Sequence, residues 1–147
     1  MLLDIKKLVA CLIRTYKTKN PFDIARSKNI WIAFEDLGTI NGYYKKAYRQ
    51  KQIHINYNLS ASQQKFVCAH ELGHALLHPS ANTPFLRGST SLLVSKLELE
   101  ANTFAIELLL SDDCLLEYQG FTIDQIGRAL GYNQKLIELK MKHLNAP

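Results

Sequence analysis

Apolar side chains recur at helical spacing in the opening stretch MLLDIKKLVACLIRTYK. Leu3, Leu8 and Leu12, with Ile5, Val9 and Ile13, predict an amphipathic helix that turns one face to a core. Asn20-Pro21 follows, an N-cap and then Pro at the first helical position, where no intrahelical N–H bond is lost. A short helix over Pro21–Ser27 is predicted. The period then changes from 3.6 to 2. Trp31-Ile32-Ala33-Phe34 is β-prone, Asn41-Gly42 is a turn signal, and Tyr43–Arg49 and Gln52–Tyr57 read as two further strands. In the last of these, Ile53, Ile55 and Tyr57 point one way and His54, Asn56 and Asn58 the other, so one face is apolar and one polar.

Helical spacing returns at Ser60. Ser60-x-x-Gln63 forms a capping box, in which two side chains satisfy orphan backbone N–H groups. The helix it opens is predicted over 61–77, stopping before Pro79. Residues 79–94 are rich in Ser, Thr and Pro, and a loop of that length within a compact domain is often functional. Ser95-x-x-Glu98 reads as a second capping box, opening a largely apolar helix to about Leu110. Thr122-x-x-Gln125 is a third, starting a short helix that ends at Gly131, with another helix from about Asn133. Ile123, Ile126, Leu130, Leu136, Leu139 and Met141 fit a small packed pair over 122–144, similar to a helix-turn-helix. No internal repeat or long linker divides the chain, so residues 1–147 are expected to form one domain.

Composition narrows the class. With 147 residues, 47% apolar and 21% charged, the chain is neither a disordered tail nor a fibre, and its length suits a single core. Nothing approaches the ~18 consecutive apolar residues of a membrane span. The uncharged run Leu8–Ile13 is too short for a signal peptide. Three Cys without a CxxC pair favour a reducing compartment, so the cytoplasm is expected. The net charge of +5 invites a nucleic-acid reading, but the charge is uneven. Residues 1–60 hold 11 basic and 4 acidic side chains, residues 61–120 hold 3 and 7, and residues 121–147 hold 4 and 2. The last helix carries Lys135, Lys140 and Lys142 beside Glu138 and has no Arg, so few side chains suit base reading. DNA binding is not expected. The basic N-terminal surplus reads better as a docking surface for an acidic face of a partner.

The acidic middle segment holds the chemistry. His70-Glu71-Leu72-Gly73-His74 is an HExxH motif. Residues i and i+4 of a helix lie about 40° apart, so both imidazoles face one point and can bind one metal ion. Glu71 lies to one side, where its carboxylate reaches water beside the ion rather than the ion itself. Zinc acidifies such water to a pKa of about 7, and the carboxylate takes its proton during attack on a carbonyl. Cys68 lies about 200° around the helix from His70 and is expected in the core. His78 is expected near the helix C-terminus, supporting the site or the helix dipole.

A catalytic zinc site usually has a third protein ligand. The extended motif HExxHxxGxxH is excluded, because Leu77 and Ser80 stand where it needs Gly and His. The downstream carboxylates are Glu98, Glu100 and Glu107. The capping box already accounts for Glu98, and Glu98 and Glu100 lie about 200° apart, so they cannot share one site. Glu100 shares a face with Leu97, Phe104 and Leu108, where an unpaired carboxylate is costly. Glu100 is therefore the expected ligand, with Glu107 as fallback or supporting residue. His54 and Asn56, on the polar face of their strand, are candidates to touch substrate, as is Arg87 in the long loop.

Taken together, HELGHALLHP, NTPFLR and the Glu-Ala-Asn-x-Phe-Ala run over 100–105, followed by LLLSDD, resemble the ImmA/IrrE family of metallo-endopeptidases. The resemblance continues upstream through NPFDIA, FEDLGTINGYY and IHINYNLSASQQKFVCAHELGH, so it spans roughly residues 20–115. One departure is Ser111, where the family pattern suggests Pro. The resemblance implies an α+β, compact zincin-like fold, with the HExxH helix packed on a small three-stranded sheet and additional helices around it. It implies one zinc ion, with other divalent ions possible, held by His70, His74 and Glu100, and Glu71 as general base. Family members resemble anti-repressors of phages and mobile elements. The implied function is thus site-specific cleavage of a helix-turn-helix repressor. The alternative is a regulator that binds a repressor or DNA and keeps the fold without hydrolysis. In zincin folds the strand before the HExxH helix typically borders the cleft, which points to Gln52–Tyr57 as the substrate-pairing strand.

Overall fold

The computed structural model describes residues 1–83 and 92–144, with the side chains of 92–95 outside that description. The described residues form seven helices and one three-stranded sheet, the α+β class expected. The first helix, α1 (Leu2–Tyr16), buries Ile5, Val9 and Leu12, while Leu3 is exposed. Its apolar stripe is therefore narrower than the spacing alone suggests. Helix α2 (Pro21–Ser27) starts where Asn20 Oδ1 accepts a hydrogen bond from Phe22 N at 2.9 Å.

The strands are β1 (Trp31–Glu35), β2 (Gly42–Ala47) and β3 (Gln50–Asn56), in the order β1-β3-β2. β1 runs parallel to β3, with Ile32 opposite Ile53, and β2 runs antiparallel to it, with Tyr43 opposite His54. Two features differ from expectation. The hairpin turn is Tyr48-Arg49, both at positive φ (52° and 66°), which is the primed geometry that matches strand twist. Asn41-Gly42 instead enters β2. A Cβ on Gly42 would sit 2.5 Å from Val67 Cγ1 and 2.7 Å from the His54 carbonyl oxygen, so Gly lets this strand lie against the third helix. The second difference concerns β3. It is the central strand and is paired on both sides, so it has no free edge to offer a substrate.

Helix α3 (Ala61–Leu77) begins at the expected capping box, Gln63 N to Ser60 Oγ at 3.3 Å and Ser60 N to Gln63 Oε1 at 3.1 Å. Near its other end Lys51 Nζ donates to the Ala75 carbonyl at 2.9 Å, a favourable place for a cation. α2 and α3 pack on one face of the sheet, where Tyr44, Ile53 and Ile55 meet Val67, Cys68 and Leu72 in the main core. α4 (Leu92–Leu109) packs along α3 and α1. The crossing is close at Gly73, where a Cβ would lie 3.1 Å from Phe104 Cδ1 and 3.3 Å from Ala101 Cα. No helix among the described residues is long and apolar enough to cross a membrane.

The remaining helices are α5 (Asp112–Leu116), α6 (Ile123–Leu130) and α7 (Gln134–Leu144). Ser111, which departs from the family pattern, caps α5 by accepting from Cys114 N at 3.1 Å. The Thr122 capping box and Gly131 at φ 78° bound α6 as expected. These helices pack in a second core of Ile106, Leu110, Leu115, Ile126 and Ile137. α4 belongs to both cores, because Phe104 and Leu108 face one and Ile106, with Leu110 just past the helix end, the other. The two units are also joined by buried charge. Lys140 Nζ, fully buried, donates to Glu107 Oε2 at 2.8 Å and Asp112 Oδ1 at 2.6 Å. Lys6 approaches the same carboxylates from α1, at 3.8 and 3.9 Å.

Candidate metal centre

α3 carries His70, Glu71 and His74 on successive turns, and the close crossing at Gly73 brings α4 against them. The carboxylate that arrives is Glu98. Its Oε1 lies 2.8 Å from His74 Nε2 and its Oε2 lies 3.1 Å from His70 Nε2. One ligand atom from each of the three residues falls within 4.8 Å of the others. The two imidazoles stand edge to face, with centroids 4.9 Å apart. His74 is fully buried and His70 nearly so, while Glu98 is half-exposed. Burial opposes ionisation of Glu98, yet hydrogen bonds from His70 and His74 hold its carboxyl well below the usual carboxylate range. Burial likewise pushes His70 down, but the Glu98 hydrogen bond and the charge of Glu71 outweigh it and raise it.

The carboxylate that meets the histidines is thus Glu98, where Glu100 was expected. α4 already runs from Leu92, so Ser95 lies inside the helix, and Glu98 is not tied up in a cap. Glu98 faces the histidines, and Glu100, about 200° around the axis, cannot share that point. Glu100 Oε1 instead lies 3.5 Å from His78 Nε2. Glu107, nine residues after Glu98, is on the opposite side of α4. It accepts from Lys140 and from His143 Nδ1 (3.2 Å) and does not reach the histidines. The apolar run Leu92-Leu93-Val94 was the sequence signal for an earlier helix start, since it continues the spacing through Ser95.

The other predicted residues fall in different places. Glu71 is buried, and the Thr83 hydroxyl lies 3.4 Å from its Oε2. His78 closes α3 as its C-cap and sets Nδ1 3.1 Å from His74 Nδ1. His54 points away from α3, stacked on Tyr43 and bonded to Glu35 and Gln52. Asn56 is buried and structural. Its Nδ2 donates to the Gly38 and Ile40 carbonyls at 3.0 Å each, which holds the turn leading to Gly42. Arg87 lies outside the described residues. Cys68 is in the core, and burial pushes its thiol up.

A cleft of about 200 Å³ opens on the cluster, lined by Asn41, Gly42, Phe66, Val67, His70, Glu71, Glu98 and Asn102. A second hollow of about 250 Å³ shares Asn41, Phe66 and Val67 with it and extends to Tyr132, Asn133 and Leu136. The C-terminal helical pair therefore walls a hollow that adjoins the cleft. Phe66 stands one turn before His70 on α3 and Asn102 belongs to the Glu-Ala-Asn run, whereas Asn41 carries no such signal and only folding brings it to the histidines. The edge of β2 beside the groove is partly covered. Tyr44 N donates to Thr83 Oγ1 at 2.6 Å and Lys46 N to Asn82 Oδ1 at 3.0 Å.

The donors fit a divalent cation. Two imidazole nitrogens and one carboxylate form a borderline N, N, O set with the spread a single ion spans, and Glu71 stands beside it rather than in it. A sequence profile of the IrrE N-terminal-like domain (Peptidase_M78) matches residues 25–131. The chain belongs to this ImmA/IrrE family. Within it, the chain is 48% identical over 139 residues to the "uncharacterized immunity region protein 2" of Bacillus phage phi105, covering 92% of this chain and 88% of that one. It is 38% identical over 148 residues to "metallopeptidase ImmA" of Bacillus subtilis strain 168, covering 97% and 86%. A Mycobacterium tuberculosis transcriptional regulator shares the fold, with a TM-score of 0.65 at 16% identity over 98% of this chain. This chain spans 48% of that longer protein. Family membership makes the protein a metallopeptidase, a class that works with a metal ion.

Within this family member, Glu98→Ala should reduce metal retained after gel filtration to background. Glu107→Ala should retain it at the level of the unmodified protein. Elemental analysis of both variants checks the assignment, and full retention in Glu98→Ala would refute it.

Proposed function

We propose that this family member is a zinc endopeptidase that inactivates a helix-turn-helix repressor of a phage or mobile element by a site-specific cut. The convergence of His70, His74 and Glu98 beside the buried carboxylate of Glu71, at the floor of a groove, carries this reading. Zinc bound there would supply Lewis acidity to a peptide carbonyl and lower the pKa of water to about 7. Other divalent ions suit the same donors.

The side chains supply the rest. Glu71 takes a proton from water as its oxygen attacks the carbonyl carbon. It then returns that proton to the nitrogen as the C–N bond breaks, yielding a carboxylic acid and an amine. Thr83 holds Glu71 in place from the side of β2. Substrate pairing moves from β3 to β2. Thr83 and Asn82 bond to the outward N–H groups of Tyr44 and Lys46, so by the alternation of an antiparallel ladder the Gly42 peptide also faces outward, at the groove. An extended substrate segment would pair there.

A protein substrate of narrow choice suits the two adjoining hollows, one at the histidines and one at Tyr132 and Leu136. The immunity-region relative in phage phi105 supports a repressor as that substrate. DNA is a poor partner for α7, because Lys140 is buried against Glu107 and Asp112, which leaves Lys135 and Lys142 for phosphates. The test is incubation with the repressor encoded beside the gene, read by mass spectrometry. A single cut that a chelator blocks and added zinc restores is expected. An intact repressor under those conditions would exclude the proposal.

A further inference from the structure

The hollow beside the cleft has a polarity of its own. Gln63 and Asn133 line it, with Phe66, Tyr132 and Leu136 as apolar walls. The amide oxygens of both polar residues are already engaged. Gln63 Oε1 accepts from Ser60 N at 3.1 Å, and Asn133 Oδ1 accepts from Lys135 N at 2.8 Å. A backbone N–H can only donate, so these two bonds fix which end of each amide is the oxygen. What remains for a ligand is the NH2 of each, and among the described residues neither NH2 has a hydrogen-bond partner. No carboxylate lines this hollow among the described residues, whereas Glu71 and Glu98 line the cleft. At about 250 Å³ the hollow is smaller than a typical small-molecule site and has room for one side chain.

Phe66 joins the hollow to the metal cluster. Its ring centroid lies 5.9 Å from that of His70 and 6.5 Å from that of Tyr132. An extended chain advances about 3.3 Å per residue, so a substrate side chain seated here belongs to a residue within about four positions of the scissile bond. We infer that this hollow is a specificity subsite that takes a Glu or Gln side chain of the substrate. The two NH2 groups donate to its terminal oxygen, and the apolar walls cover its methylene stem. A Lys or Arg at that position would set donor against donor. The inference rests on the peptidase reading of the cleft and names a substrate feature that the cleft selects.

The test uses two substitutions that leave the helix caps intact. Gln63→Glu and Asn133→Asp keep the oxygen that accepts from the backbone and replace only the NH2 with an acceptor. A display library of random peptides is selected on the zinc-loaded full chain carrying Glu71→Gln, which binds without cutting. A second selection uses the same chain with both substitutions added. The first should enrich Glu or Gln about tenfold at one fixed position, the effect of one well-placed hydrogen bond. The second should lose that preference and favour Lys or Arg there. Attraction to the net charge of +5 would instead enrich acidic residues at every position and survive both substitutions, and that result overturns the inference. So does a first pool without a Glu or Gln preference at a fixed position, or a second pool that matches the first. Incubation with the neighbouring repressor keeps the two readings apart. An intact repressor beside a successful selection removes the peptidase reading and leaves the subsite. A cut repressor beside a failed selection removes only the subsite.

Discussion

Glu71→Gln is expected to lower the rate of cleavage by at least about 10²–10⁴-fold, the usual contribution of a positioned general base, while zinc content stays unchanged. Gln is nearly isosteric with Glu, so the packing of this buried side chain is preserved. It cannot accept the proton of the attacking water, and it has none to return to the departing nitrogen. His70, His74 and Glu98 are untouched, so the ion should remain. Single-turnover cleavage together with elemental analysis reads both quantities on one sample. The same variant separates hydrolysis from binding. If Glu71→Gln still relieves repression in full, the protein works by capturing its partner, and the proteolytic proposal falls.

Lys140→Met should destabilise the fold by about 3–5 kcal/mol, because removal of one member of a buried ion pair leaves the other uncompensated. Glu107 is buried, and after the substitution only His143 at 3.2 Å and Lys6 at 3.8 Å, among the described residues, remain near it. For a chain of this length the loss corresponds to a fall of roughly 6–20 °C in Tm. Adding Glu107→Leu should restore much of the loss, since a buried pair can often be replaced by apolar side chains at little cost. Urea denaturation of the single and double variants tests this, and a single variant within about 1 kcal/mol of the unmodified protein would count against it. The cluster also carries an acid dependence. The Lys140 hydrogen bond holds the Asp112 carboxyl below its ordinary value. Its share of stability is therefore present above the unfolded carboxyl range and is lost as pH falls through the depressed one.

Local chemistry was readable wherever a few adjacent residues decide the outcome. The caps at Asn20, Ser60 and Thr122 bond as their side chains predict, because a cap involves only its own turn. His70 and His74 share a helix face for the same reason. The second capping box misled because Ser95-x-x-Glu98 is also an ordinary pair inside a helix. Whether Ser95 starts a helix depends on where the chain before it goes, and three residues cannot tell. The Asn41-Gly42 pair misled in a similar way. Gly is needed there for the approach of Val67 and the His54 carbonyl, not for a hairpin.

What the sequence determined by itself is most of the elements, two of the three convergent donors, the carboxylate beside them and the family; the helix Asp112–Leu116 was not among the elements it predicted. Each follows from spacing along one helix or from a run of neighbouring residues. The tertiary structure decided which carboxylate completes the cluster. Glu98 and Glu100 lie on the same helix and differ by a rotation, and the rotation that faces the histidines is set by how α4 seats on α3 at Gly73. It also decided that β3 is central, that Lys140 is buried, and that Asn41, Phe66 and Leu136 line one groove. Contacts of that kind join residues tens of positions apart, and no local propensity encodes them.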